Sequence, residues 1–305
     1  MGPEFLPCGV FYLFRTKHPI LGARYCHTVE LRTEIESLIG NSGAEAVAVG
    51  YHDIATGEEM FILPDESFHA ASTMKICVLM EVFHQLEKGE LRLDEPITVH
   101  NEFKSIADGS TFSSHEEEDA EHSIYHRIGH HRALIFLARP MITHSSNLAA
   151  NLLVERLGAD RITAFMHELG APGLSIIRGV EDDKAYERGL NNAVTARGLT
   201  TIMAKLGRGE VVSPTASKSM IEILLSQTHR KCIPAGLPPW TKVANKPGWV
   251  DSICHDTALV SPSKKSPYAL TVLTRGLPDH QSGRLLIAAI SKLVYRQATL
   301  VAPQD

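Results

Sequence analysis

The sequence predicts an α+β fold in which an antiparallel sheet, built from both ends of the chain and flanked by helices, has an all-helical block inserted into it. Three observations carry this expectation. Apolar residues alternate with period two between Glu45 and Leu63 and again between Trp240 and Thr274. Between those regions they recur with helical spacing, and helical stripes also stand outside both strand regions, before Asn41 and after Leu286.

In chain order, Leu31, Ile35, Leu38 and Ile39 stripe one face of a first helix over Thr28–Ile39, with Asn41 and Gly43 ending it. Glu45 to Tyr51 then alternates around Ala46, Val47 and Val49, turns through Asp53-Ile54-Ala55-Thr56-Gly57 and returns over Glu58–Leu63, which is a β-hairpin. After Ala70-Ala71-Ser72-Thr73-Met74-Lys75, the residues Leu79, Val82, Phe83 and Leu86 fall on one face and Gly89 supplies a stop, so a helix begins near Ser72. Ala149, Leu152, Leu153 and Leu157 stripe a helix ended by Gly158. Ile162, Phe165, Met166 and Leu169 stripe the next, with Asp160 capping its start and Gly170 its end. Strands are expected over Trp240–Lys246, where Lys246-Pro247-Gly248 marks the strand's end, over Thr257–Val260, and over Tyr268–Thr274, with Ser261–Pro267 as a turn. A last helix carries Leu286, Ala289, Ile290 and Leu293. The implied division is an N-terminal extension at 1–27, a sheet domain from 28–67 and 229–305, and a helical domain at 68–228, with a cleft between the last two as the natural place for a site.

Composition excludes several functions. The chain has 305 residues, 44% of them hydrophobic, a net charge of -5 and a pI near 6.3, an ordinary globular balance able to bury a substantial core. Without a Lys/Arg run, neither nucleic acid nor an anionic membrane surface is an expected partner. No apolar run reaches the length of a membrane span. Phe5–Phe14 lacks the basic residue and small-residue cleavage site of a signal peptide, and Met1-Gly2-Pro3-Glu4-Phe5 reads as a cloning remnant. The five cysteines, Cys8, Cys26, Cys77, Cys232 and Cys254, are odd in number and scattered, so mostly free thiols are expected rather than a disulfide framework or a zinc site.

Ser72 and Lys75 are the first candidates for chemistry. A serine hydroxyl is a weak nucleophile until a base takes its proton, and a lysine one helical turn away, made less basic by burial, can be that base. Free N–H groups at the helix start favour developing negative charge. A capping serine beside a solvated lysine is the competing reading of the pair. Between residues 100 and 131 an acidic, His-rich tract holds His122, His126 and His130 at i, i+4 spacing, but a solvated loop or helix is preferred over a metal site there, since no cysteine or third fixed ligand accompanies them.

Ser145-Ser146-Asn147 opens the Ala149 helix 73 residues beyond Ser72, and Lys246-Pro247-Gly248 follows 101 residues beyond Ser145. Taken singly these are a helix cap and a strand boundary. Taken in order, Ser-x-x-Lys, Ser-x-Asn and Lys-x-Gly resemble the serine β-lactamase and penicillin-binding protein superfamily, with closest similarity to class A β-lactamases over about residues 28–300. The stretches Leu93-Asp94-Glu95-Pro96-Ile97 and Ser146–Leu153 belong to the same likeness.

The resemblance implies a β-lactamase/transpeptidase-like fold and a hydrolase that opens β-lactams through an acyl-enzyme. Ser72 would be the nucleophile, Lys75 its activator and Ser145 a proton relay to the leaving nitrogen. Asn147 would hold the substrate amide, Lys246 would supply positive field near its carboxylate, and the N–H groups of Ser72 and of Trp249, after Gly248, would form the oxyanion hole. The family's water-activating glutamate falls within Arg178–Asn192, where Glu181 fits the distance from Ser145 and Glu187 fits a Glu-x-x-x-Asn spacing to Asn191; Glu181 is preferred, Glu187 is the runner-up, and a surface loop with no catalytic role is the remaining reading. Pro247 stands where a hydroxyl-bearing residue is usual, and Ser146 where an aspartate is usual. An esterase or peptidase of the same fold, or a sensor that is acylated without turnover, are the alternative functions. The likeness further implies no cofactor or metal, a monomer, and a periplasmic or secreted location.

Overall fold

The computed structural model describes residues 19–263 and 265–300. Expectations placed on the first 18 residues, including the cloning remnant, the Phe5–Phe14 segment and Cys8, lie outside them, as does the side chain of Cys26. Helix α1 spans Pro19–Gly40, starting before Thr28. It leads into the hairpin β1 (Ala46–Asp53) and β2 (Glu59–Ile62), then β3 (Phe68–His69), a 3₁₀ turn at Ala71–Met74, and α2 (Lys75–Glu87). Next come β4 (Pro96–Thr98), β5 (Phe103–Lys104), β6 (Thr111–Phe112), β7 (His131–Ala133), α3 (Ile135–Thr143), α4 (Asn147–Leu157), α5 (Ala159–Glu168) and α6 (Asp183–Glu187). The chain finishes with β8 (Ala193–Val194), α7 (Ala196–Gly207), α8 (Pro214–Leu225), β9 (Lys242–Val250), β10 (Ile253–Ser261), β11 (Tyr268–Arg275) and α9 (His280–Leu300).

The predicted sheet forms from both chain ends: five antiparallel strands in the order β2-β1-β11-β10-β9. Alternation sorts its side chains. Val47, Val49, Val243, Val260, Leu270 and Val272 face α1 and α9 in one core, whereas Ala48, Ala244, Leu259, Ala269 and Leu273 join the larger core of α2, α4, α5, α7 and α8. Burying both faces this way removes most of the sheet's apolar area from water, the main favourable contribution to folding.

Several expectations change, among them the strand expected over Thr257–Val260, which runs Ile253–Ser261. The middle of the chain is mainly helical but contains the short pairs β3–β8, β4–β7 and β5–β6, whose two- and three-residue strands are too brief to show a period of two. The strand carrying Lys246 starts at Lys242 and runs on to Val250, so Lys246-Pro247-Gly248 lies inside it. Pro247 is tolerated there because β9 is the sheet's edge and its missing N–H need not pair with a further strand. The helix after Gly158 is capped by Gly158 itself, with Asp160 in its first turn.

Candidate active site

Ser72 sits in the 3₁₀ turn rather than in the α-helix proper, a tighter start that a helical stripe cannot distinguish. The turn is entered through Ala71, whose φ of 44° is left-handed, and the Ala71 N–H donates to His69 Nδ1 at 3.1 Å. The strand β3 anchors this entry by pairing with β8, and the Ala70 N–H donates to Asn192 O at 2.8 Å. Edge strand β9 presses against the same turn at Gly248. A Cβ there would stand 2.7 Å from Ser72 N and 3.0 Å from Thr73 N, so only glycine permits the approach. Gly248→Ala is expected to push β9 away from Ser72 and slow acylation by about a hundredfold, as small displacements of reacting groups do; stopped-flow labelling with a penicillin measures it.

Lys75 begins α2 fully buried. Its Nζ donates to Ser145 O at 2.7 Å, Ser145 Oγ at 3.3 Å and Asn147 Oδ1 at 2.7 Å. Burial pulls its ammonium down to about 8, against the opposing charges of Asp119 and Glu181. Lys246, equally buried on β9, donates from Nζ to Ser145 Oγ at 2.9 Å and to Pro247 O at 2.8 Å. Burial, aided by the like charge of Lys75, lowers it well below the usual lysine range. Ser145 Oγ is thus held between two lysines, and the residue adopts a left-handed φ of 64° to reach that position.

Asn147 links this pair to a carboxylate. Its Nδ2 donates to Glu181 Oε1 at 2.5 Å, and Glu181 Oε2 accepts from the His115 N–H at 3.1 Å. Burial raises the Glu181 carboxyl, while those hydrogen bonds and Lys75 hold it back. Glu187, by contrast, is exposed at the end of α6 and does not line the cleft. The local reason is how the loop before α6 is clasped. Asn151, on α4, accepts from the Val180 N–H at 2.6 Å and donates to Val180 O at 3.0 Å, and Glu181 then turns inward with a φ of 62°. Asp182 caps α6 through the Ala185 N–H and also accepts from Ser105 Oγ at 2.7 Å and the Ile106 N–H at 3.0 Å.

Two buried groups had no counterpart among the sequence candidates. Asn151 reads in sequence as a polar residue of the helix striped by Ala149, Leu152, Leu153 and Leu157. Asp119 lies in the acidic tract, where nothing periodic singles it out, yet its side chain is 2% exposed and accepts four hydrogen bonds at Oδ2, three of them from the Ser145–Asn147 turn and the start of α4. The His-rich tract around it folds as 3₁₀ turns at Glu116–Glu118 and His122–Arg127. Among the described residues no group of three or more His, Cys, Asp or Glu converges to hold a metal ion. Cys77, Cys232 and Cys254 are free and buried, in accord with the expected thiols.

Ser72, Ser145, Asn147, Glu181 and Trp249 open onto one cleft of about 520 Å³. Among its lining residues Tyr186 OH donates to Asp251 Oδ2 at 2.9 Å, and His229 stands edge-on to Trp249 of β9, with ring centroids 5.1 Å apart. The model of the beta-lactamase enzyme family matches residues 30–298. This chain belongs to that family.

Relatives in the β-lactamase family are distant. The carbapenem-hydrolyzing beta-lactamase KPC of Klebsiella oxytoca is 29% identical over 165 residues, covering 52% of this chain and 56% of that enzyme, so the match spans little over half the relative's length. The extended-spectrum beta-lactamase PER-1 of Pseudomonas aeruginosa is 26% identical over 72% of this chain and 68% of its own. Among solved structures, an ancestral class A beta-lactamase superposes with a TM-score of 0.74 at 26% identity, covering 87% of this chain and 99% of that one. PBP-A superposes with a TM-score of 0.77 at 24% identity, over 89% and 97%, and shows a shared fold. The α+β, β-lactamase/penicillin-binding fold expected from the motifs is therefore the fold observed. Among the described residues no helix is long and apolar enough to cross a membrane.

Proposed function

We propose that this family member is a serine hydrolase that opens β-lactam amides through an acyl-enzyme on Ser72. The observation that carries the reading is the chain Lys75–Asn147–Glu181, which joins a buried lysine to a half-buried carboxylate through one asparagine in the cleft that Ser72 faces. In acylation, neutral Lys75 takes the Ser72 proton as the oxygen attacks the lactam carbonyl, and the N–H groups of Ser72 and Trp249 receive the developing oxyanion. Ser145, whose Oγ lies within hydrogen-bond reach of both lysines, returns a proton to the leaving nitrogen, with Lys246 as the hydrogen-bond donor on its β9 side. Asn147 binds the substrate amide. In deacylation Glu181 orients and deprotonates the attacking water, a task favoured by the burial that makes its carboxylate more basic.

Two tests follow from the role of Lys75. Lys75→Ala is expected to slow penicillin acylation by at least about a hundredfold, the loss typical of a positioned base, measured by stopped flow. In the parent, acylation is expected to rise with pH through about 8, because Lys75 must shed its proton to act and burial has lowered its pKa to that region. A rate flat across that range would remove Lys75 as the base.

A second reading rests on Pro247. Its lack of a hydroxyl on β9 takes one hydrogen bond from a substrate carboxylate, which favours esters or other acyl donors over carboxylate-bearing β-lactams. Nitrocefin turnover compared with that of a simple ester separates the two. A stable penicillin adduct in intact-mass spectrometry without turnover would instead identify a trapping sensor. The location proposed with the β-lactamase reading is periplasmic or secreted.

A further inference from the structure

The start of α4 is supplied with acceptors from two sources. Ser146 Oγ accepts from the Ala149 N–H at 3.2 Å and Ser146 O from the Ala150 N–H at 3.3 Å. That leaves the first two N–H groups, and both go to one carboxylate oxygen, Asp119 Oδ2, at 2.7 Å from Asn147 N and 3.0 Å from Leu148 N. The same oxygen accepts from Ser146 Oγ at 3.0 Å and Tyr125 OH at 3.2 Å, while Oδ1 accepts from the Glu121 N–H at 3.0 Å. A carboxylate at a helix start suits the free N–H groups from which it accepts. Helix capping alone does not require it, since a serine cap with solvent would serve an exposed helix. What distinguishes this cap is where it leads: Asn147, whose N–H it accepts, grips Lys75 with its side chain at 2.7 Å, and Lys75 also bonds Ser145 O next to the cap.

We propose that Asp119 is a positioning residue of the acylation site, fixing the left-handed Ser145 turn on which Lys75 is held and placing its carboxylate near that lysine. The inference rests on the reading of Lys75 as the base for Ser72. The charged and titratable groups facing Lys75 are Asp119 from the tract before α3, Glu181 from the loop before α6, Lys246 from β9 and His229 before β9. Of these only Asp119 and Glu181 favour the ammonium form, and Asp119 is the stronger influence. Glu181 faces the cleft, where an acyl group and a water must also fit. Asp119 does not line it.

The test titrates Lys75 directly by the ¹³C shift of its Cε, assigned by loss of the signal in Lys75→Ala. Asp119→Asn keeps the shape and removes the charge. The Lys75 midpoint is expected to fall by about one pH unit or more, the size of a nearby charge's effect, and the acid limb of penicillin labelling is expected to move to lower pH by a similar interval. A residue that merely stabilised the fold would lower the labelling rate without moving either midpoint. Combining Asp119→Ser with Ser146→Asp moves the carboxylate to the other end of the same hydrogen bond, and the midpoint should then return to within a few tenths of a unit of the parent's. An unchanged or raised midpoint in Asp119→Asn overturns the proposal. Should that variant not fold, a midpoint in the double variant still displaced by a unit overturns it equally. The titration reports on Asp119 whether or not penicillin reacts, and a parent that forms no adduct overturns the Ser72 reading instead.

Discussion

Ser72→Ala is expected to take up no penicillin at all: intact-mass spectrometry should find the parent shifted by one penicillin and the variant unshifted under the same conditions. Among the described residues the Ser72 hydroxyl combines the N–H groups of a helix start with a buried lysine whose pKa is pulled down to about 8. Ser145, the neighbouring hydroxyl, is already committed between Lys75 and Lys246. The variant should fold as the parent does, because the 3₁₀ turn has no side-chain cap to lose and is held instead by backbone bonds, Thr73 N–H to Ala70 O at 3.1 Å and Ala70 N–H to Asn192 O at 2.8 Å. An unchanged melting curve together with lost labelling would therefore isolate the chemistry. A mass shift that survived would move the nucleophile elsewhere.

Glu181→Gln should separate the two halves of the reaction. Acylation, proposed to use Ser72 and Lys75, should remain within a few-fold of the parent, whereas hydrolysis of the ester should slow by about a thousandfold, the middle of the range for a lost general base. The kinetic signature is a burst equal to the enzyme concentration followed by slow turnover, with the acyl-enzyme visible by mass. Glutamine keeps an oxygen that can accept from the His115 N–H, so the loop should hold its shape. Glu187→Gln should behave as the parent, since Glu187 is exposed and outside the cleft. The reverse pattern would assign the water to Glu187, and normal turnover in both variants would leave deacylation to another group.

The contrast between these two glutamates shows where sequence reading stops. Both lie within Arg178–Asn192 and each satisfies a family spacing, and the sequence prefers Glu181 only by its distance from Ser145. Asn151 ranks them in space: by clasping both backbone polar groups of Val180 it aims the next side chain inward, and the price is a left-handed backbone at Glu181. A clasp made by a residue 29 positions away leaves no periodic trace. Asp119 was hidden for the same reason, an acidic residue among acidic residues until the chain folds its tract against α4. The strand ends went astray differently, because Pro247 and Gly248 are strand breakers in a central strand and are tolerated here only by β9's edge position and its close approach to Ser72.

What the sequence by itself determined is therefore whatever repeats or keeps order along the chain. The five-stranded sheet from both termini, the helices on its two faces and the ordered trio Ser72-x-x-Lys75, Ser145-x-Asn147 and Lys246-x-Gly248 could all be read in one dimension, because burial imposes periods of 2 and 3.6 on apolar residues and chemistry imposes residue types at short spacings. The tertiary structure alone decided which charges meet. Lys75 and Lys246 share one serine, Glu181 rather than Glu187 reaches the cleft, and Asp119 stands behind the Ser145 turn. Such meetings depend on how separate loops are clasped, and the strength of each interaction depends on the distance and burial that only the folded chain establishes.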